Sequence, residues 1–200
     1  MKILHLLPII ILLNIYYVNA QTLSLCQDQY QTVLDMAYQR ADIFTNQMQL
    51  FTSEPDYDQQ ILYKRTIFSL FDNSESLAVE DDISPWSMRE TAYKSIDSYL
   101  FILSDNYKPE QTKIIYNIEK PKTIHYNEEK KFYYVKVGAL KKTIRNVTNE
   151  NTNPRIIIIK IENIRAPLPN LKILNLVNDN PDNQIPGKTV DIEYCIEESK

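Results

Sequence analysis

The chain has 200 residues, with 22 Lys and Arg against 26 Asp and Glu, a net charge of −4. A mildly acidic chain presents no basic face to phosphates, which excludes nucleic acid as a partner. Only Gly138 and Gly187 are glycines, and only His5, His125, Cys26 and Cys195 offer imidazole or thiol ligands. A glycine-rich phosphate cradle or an ordinary zinc site of three or four nitrogen and sulfur ligands cannot be assembled from these, so no cofactor is expected.

Residues 1–20, MKILHLLPIIILLNIYYVNA, open on the positive Lys2 and continue as an apolar stretch from Ile3 to Val18. Val18-Asn19-Ala20 places small or branched residues where a signal peptidase reads, just ahead of Gln21. The segment reads as a secretory signal peptide cleaved after Ala20, giving a periplasmic or extracellular product. It is shorter than the roughly 18 to 20 apolar residues a spanning helix needs, with a retained N-terminal membrane anchor as the alternative. Cleavage would remove His5 and leave His125 as the one histidine of the mature chain. Residues 21–200 are long enough for a single domain with a sizeable core.

Cys26 and Cys195 lie near opposite ends of that domain. In an oxidising compartment two cysteines allow one internal pairing, and the bridge would close a loop of about 170 residues, worth about 4 to 5 kcal/mol by loop entropy. Two free thiols are the alternative. Cys195 shares its strand face with Asp191 and Glu193, whereas Val190, Ile192, Tyr194 and Ile196 belong to the apolar side, so a bridge would sit outside the main core. Ser24-Leu25 ahead of Cys26 do not fit a lipidation box.

From Leu25 to Phe51, Tyr30, Val33, Ala37, Ala41, Phe44, Met48 and Phe51 recur at steps of three and four, predicting a long amphipathic helix. Pro55 breaks it, and Asp56 or Asp58 caps a second helix running to about Phe71. Leu77 to Val79 is a short strand candidate. Ser87 and Glu90 have capping-box spacing and predict a third helix through Leu103, with Trp86 plugging a core end at its start.

Beyond Asn106 the period changes to two. Ile114-Tyr116-Ile118 predicts a strand, and Thr123–Tyr126 with Lys131–Lys142 a hairpin, in which Tyr133, Val135, Val137 and Ala139 share one face and Phe132, Tyr134 and Lys136 the other. Arg145 to Pro154 reads as a polar, asparagine-rich loop, and Asn146-Val147-Thr148 has the pattern of a glycosylation acceptor, marking exposure. Arg155 to Ile164 is the strongest strand: Ile156–Ile159 are apolar on both faces, implying a central place, with Arg155 and Lys160 as flanking charged gatekeepers. Leu171–Val177 and Thr189–Ile196 add two more strands.

Helices first and antiparallel strands later predict an α+β fold, with N-terminal helices packed on a curved, mostly antiparallel sheet in the order α-α-β-α-β-β-β-β. In that order and in its long first helix the chain resembles the nuclear transport factor two-like (SnoaL-like, cone-shaped) superfamily over about Leu25 to Val177, and more loosely small exported bacterial domains of this kind. The resemblance implies a cone whose sheet encloses a pocket and domains that often dimerise through the sheet.

Three accounts of function follow. The first is a non-catalytic exported binding or scaffold module of the cell envelope, for an unidentified small molecule or envelope protein. Fourteen tyrosines suit recognition surfaces, and Tyr116, Tyr133, Ile157 and His125 are the candidate ligand-binding residues, with core packing the competing role for each. The second is a small acid–base enzyme within the cone, for which Asp97 and His125 are the groups to inspect. The third is a subunit that homodimerises through an outward sheet face formed by Ile156, Ile158, Phe132 and Tyr134.

Overall fold

The structure is a computed structural model that describes residues 23–73, 76, 78–83, 93–106, 108–109, 112–145, 149–179, 185–193 and 195. The leader 1–20, Trp86, the capping box Ser87/Glu90 and the acceptor triplet 146–148 lie outside the described residues.

The chain enters through β1 (Ser24–Cys26) and passes directly into α1 (Gln27–Ser53). The expected stripe is the buried one: Tyr30, Val33, Ala37, Ala41, Phe44, Met48 and Phe51 all face the core. Steps of three and four hold these residues on one side for about six turns, and the small Ala37 and Ala41 let the helix lie close on the sheet. Pro55 prevents continuation, and the Asp56 carboxylate accepts the amides of Asp58 (2.8 Å) and Gln59 (3.1 Å), starting α2 (Tyr57–Leu70).

The third helix departs from expectation. Tyr93–Lys94 form a strand, β3, paired antiparallel with β2 (Val79–Glu80), and α3 spans only Ile96–Asn106. Its start is set by Ser95, whose hydroxyl accepts the Ser98 amide at 3.2 Å. The β-branched and aromatic side chains that continue a helical period through Ala92 and Ile96 satisfy a strand equally well at Tyr93, and the available pairing edge on β2 decides.

The remaining strands are β4 (Thr112–Ile118), β5 (Ile124–Asn127), β6 (Phe132–Arg145), β7 (Asn149–Glu162), β8 (Asn170–Asn178), β9 (Lys188–Thr189) and β10 (Asp191–Glu193). One mixed sheet runs β3-β2-β8-β7-β6-β5-β9, with β4 and β5 sharing one edge of the long β6. Among the described strands of this sheet, β2–β8 is the one parallel pairing. The fold is α+β. Of the polar loop expected from Arg145 to Pro154, the described residues Arg145 and Asn149–Pro154 are instead paired backbone: β6 and β7 match from Tyr133↔Ile161 to Arg145↔Asn149. Pairing along a fourteen-residue partner overrides the low strand propensity of the asparagines.

One face of the sheet packs on the helices through Val135, Val137, Ile157, Ile159, Ile173 and Leu176. A bulge between Ile158 and Ile159 in the β7–β8 pairing lets Ile173 and Leu176 both face inward although three residues apart. On the opposite face Tyr134 and Ile158, each 1% exposed, and Val177 form a second cluster with Tyr93, Phe132, Ile156, Leu174 and Ile185. Two of the four residues expected to form an outward apolar face are therefore covered within the chain itself.

The C-terminal segment divides rather than forming one strand. β9 pairs with β5, Val190 turns into the core, and β10 pairs in parallel with β1, Cys26 standing opposite Glu193. Ile192 is exposed, since the second sheet has only these two strands. Cys26 and Cys195 are joined in a disulfide with Cα atoms 5.3 Å apart, and Cys195 is exposed, outside the core as its alternation implied.

Candidate functional site

Polar groups gather at two ends of the β6–β7 pair. At the far end, Lys141 continues the inward parity of Tyr133, Val135, Val137 and Ala139, and Arg155 that of Ile157 and Ile159. Both side chains are buried beneath α3, at 3% and 0% exposure, and both meet Asp82, which is 4% exposed. Lys141 Nζ donates to Asp82 Oδ1 and Oδ2 at 3.1 and 2.9 Å, and Arg155 Nη1 lies 3.2 Å from Oδ2. The Tyr99 hydroxyl donates to Oδ1 at 2.8 Å, and the Asn153 amide to Oδ2 at 3.1 Å. Arg155 further donates to Asn178 Oδ1 and to the carbonyls of Glu80 and Leu176, and Glu80 accepts the Asn178 backbone and side-chain amides.

Burial alone would raise the Asp82 pKa, but Lys141 and Arg155 outweigh it and hold the carboxyl at about 2. Burial pushes the Lys141 ammonium down, with Asp82 opposing. Burial and then Asp82 drive the Tyr99 phenol well above its ordinary value. An ionised carboxylate saturated by four donors is a poor acceptor for an incoming proton. The carboxylate is fully engaged, while Arg155 Nε is buried without a hydrogen-bond partner; the cluster ties the 79–83 segment, α3 and strands β6 to β8 together. The gatekeeper reading of Arg155 is corrected here, because its guanidinium is among the most buried groups of the described residues rather than a surface charge. The inward parity of Lys141 and Arg155 was the readable signal, and Tyr99 recurs with Ile96, Leu100 and Leu103 on a helical apolar face, whereas Asp82 and Asn178 carry no local pattern.

The near end is open. The β6–β7 register ends at Tyr133↔Ile161, and there the two chains part around a cleft of about 530 Å³. Lys131, Phe132 and Tyr133 line one wall, and Lys160 to Ala166 the other. Tyr133 is partly buried and rests against Tyr126, ring centroids 4.8 Å apart. Burial raises its phenol, with the nearby Arg165 charge acting the other way. Lys160 is engaged by Asp72 at 3.1 Å and Glu162 at 3.0 Å, and Glu162 also accepts the Asn170 amide at 2.9 Å. Among the described residues neither Lys131 nor Arg165 has an ion-pair partner.

The residues nominated from the sequence are not brought together. Tyr116 and Ile157 lie in the core between helices and sheet, and Tyr116 packs on Phe44 with centroids 6.5 Å apart. Tyr133 forms part of the cleft wall. His125 pairs with Tyr134 across β5–β6 and so lies on the opposite face from Tyr133. Its ring stacks on Tyr134 at 5.2 Å, its Nε2 is 3.0 Å from the Thr123 hydroxyl, and burial, then Lys136, lowers its pKa. Asp97 is 58% exposed and bridges to Lys64 on the helix surface. A smaller apolar groove of about 320 Å³ lies between α2 and α3, lined by Phe51, Tyr57, Ile61, Leu100 and Phe101. Among the described residues no group of three or more His, Cys, Asp or Glu side chains is placed to hold a metal ion.

Comparison with protein-family models, with curated proteins and with solved structures finds no match to this chain.

Proposed function

We propose that the chain is an exported, disulfide-clasped binding module that takes a small molecule in the cleft at the open end of β6–β7, without catalysing its conversion. The observation that carries this reading is the contrast between the two polar assemblies. The buried charges around Asp82 satisfy one another, whereas Lys131 and Arg165 border an open cleft beside an aromatic wall. The cleft sets polar and charged groups (Lys131, Lys160, Glu162, Asn163 and Arg165) beside Phe132, Tyr133, Ile161 and Ile164, so it offers ring surface together with polar groups that can orient a small molecule.

Export is supported by the leader pattern and by the Cys26–Cys195 bridge, which belongs to oxidising compartments. No helix among the described residues is long and apolar enough to cross a membrane. Membership of the cone-shaped superfamily is part of the same proposal, supported by the element order and the long first helix. The acid–base account has less behind it: Asp97 is on the surface, and His125 is stacked on the sheet face away from Tyr133. The sheet-face dimer loses Tyr134 and Ile158 to the chain's own second cluster.

The test is ¹⁵N NMR of the mature, oxidised chain with benzoate, benzyl alcohol, glucuronate and glucose as probes. Shifts confined to Lys131–Tyr133 and Lys160–Ala166, with every probe recovered unchanged, support the module. Shifts absent from the cleft, or turnover of a probe, would sink it.

A further inference from the structure

The cleft has a composition that selects among ligands. Lys131 and Asn163 stand at matching positions two residues beyond the last Tyr133↔Ile161 pair, and both have left-handed backbone, φ 55° and 54°. Each strand therefore turns away from its partner at the same level. Neither residue is glycine, so each conformation carries an intrinsic steric cost, larger for Lys131 than for Asn163. The turns are held by side-chain and backbone bonds: Lys130 N donates to Asn127 Oδ1 at 2.7 Å, and Ala166 N donates to the Asn163 carbonyl at 2.7 Å. The opening is thus built into two tied turns rather than left by loose packing.

Charge within it is unbalanced in one direction. Lys131, Lys160 and Arg165 line the cleft with a single carboxylate, Glu162. That carboxylate is occupied by Lys160 and Asn170, and Lys160 is further neutralised by Asp72. Two cations, Lys131 and Arg165, are left facing the space, and Phe132 and Tyr133 supply ring surface beside them. Tyr126 backs Tyr133 and fixes the orientation of that ring. A guanidinium presents a planar fork that fits a carboxylate with two parallel bonds, and an aromatic face takes a flat apolar or sugar ring. The volume, about 530 Å³, is that of a site for a small molecule rather than for a lone ion.

We infer that the cleft recognises a small organic carboxylate that carries a ring, with Arg165 and Lys131 gripping the carboxylate and Tyr133 flanking the ring. This rests on the reading of the cleft as a recognition site. Two sources share that chemistry, an aromatic acid and a uronic sugar, and benzoate and glucuronate separate them.

The experiment titrates the mature, oxidised chain with benzoate and glucuronate, and with benzyl alcohol and glucose as their uncharged counterparts. At least one acid is expected to bind tighter than its neutral counterpart by about 10-fold or more, with affinity falling as salt is raised. Arg165→Gln should weaken that binding about 10- to 100-fold, Arg165→Lys should recover part of it, and Lys131→Gln should weaken it less. Arg165 is exposed, so folding is not at stake, and Lys113→Gln on the exposed side of β4 serves as a distant charge control expected to change nothing. Neutral probes that bind the cleft as well as the acids overturn the inference while the recognition site stands. No cleft shift with any of the four probes overturns both. Unchanged acid binding in Arg165→Gln overturns the assignment of the grip.

Discussion

Replacing Asp82 by Asn removes the one carboxylate shared by Lys141 and Arg155 while keeping its shape. All three side chains are at most 4% exposed, so solvent screening does little to soften the loss. Stripping the counter-ion from a buried pair costs about 3 to 5 kcal/mol, because a desolvated charge is left behind. Lys141 has a way out, since burial already lowers its pKa and it can give up its proton. Arg155 has none, and the cost is carried mainly there. For a chain of this size the loss corresponds to a fall of roughly 10 °C in Tm.

Two internal checks bear on the cause. Adding Lys141→Met to Asp82→Asn removes a stranded cation, so the double variant should be at least about 1 kcal/mol more stable than the sum of the single effects. The pH dependence supplies the second. Asp82 falls from an ordinary 3.8 to about 2 in the folded chain, so the unfolded chain binds the extra proton between those values. Its stabilisation is present above about pH 4 and drains away as pH drops toward 2, a loss of about 2 kcal/mol from this group. The gap between the native chain and Asp82→Asn in urea unfolding should therefore narrow by about that amount on acidification. A single variant within 1 kcal/mol of the native chain, strict additivity, or a gap independent of pH would refute the argument.

Reducing the Cys26–Cys195 bridge, or replacing both residues by serine, should lower stability by up to about 5 kcal/mol, because the bridge closes 169 residues of separation; a change of under 1 kcal/mol in urea unfolding would count against it. At Gly187 an added Cβ would sit 2.5 Å from the Tyr134 hydroxyl and 3.0 Å from the Tyr126 carbonyl, so Gly187→Ala should cost about 1 to 3 kcal/mol. Gly138→Ala meets only Glu119 at 3.6 Å and should be neutral or slightly stabilising by the same assay; reversal of this order would show that the backing of Tyr134 is misjudged. His125 should titrate below 6.5 by NMR, and Lys136→Gln should move it upward; a midpoint at or above 6.5 contradicts its packing.

The elements that could be read in advance are those whose burial has a period. The α1 stripe, the alternation from Tyr133 to Ala139 and the four isoleucines of β7 each announce a face, and each occupies it. The errors fall where long-range pairing decides. Tyr93–Lys94 becomes a strand because β2 offers an edge, and Asn149–Asn153 extend β7 because β6 runs opposite. The bulge that admits Leu176 to the core cannot be read from alternation, since it is the break in alternation. In the site, Lys141 and Arg155 were visible as charges in phase with buried neighbours, while their counter-ion Asp82 lies 59 residues from Lys141 with no pattern of its own. The cleft was hidden because its two left-handed turns are made by lysine and asparagine instead of glycine.

The separation of the two polar assemblies is itself informative. Tyr133 and Lys141 lie on one strand eight residues apart, about 26 Å at the rise of an extended chain. Between them the inward positions are Val135, Val137 and Ala139, opposite Ile159, Ile157 and Arg155, so no polar path joins the ends through the core. Asp82 cannot act on anything held at Tyr133. What the cluster can do is mechanical: by fixing β6, β7 and β8 to α3 at one end, it keeps the inner strands in register over the whole length of the hairpin. A one-residue slip would put Lys141 and Arg155 on the other face without their counter-ion. The register so enforced places Lys131 opposite Asn163 and makes the two turns coincide. Asp82→Asn should therefore loosen the cleft only through stability, leaving carboxylate affinity unchanged where the variant is folded, whereas Arg165→Gln should weaken affinity about 10- to 100-fold and leave stability untouched. Loss of probe binding by fully folded Asp82→Asn would show that the two ends communicate, and would break this division of labour.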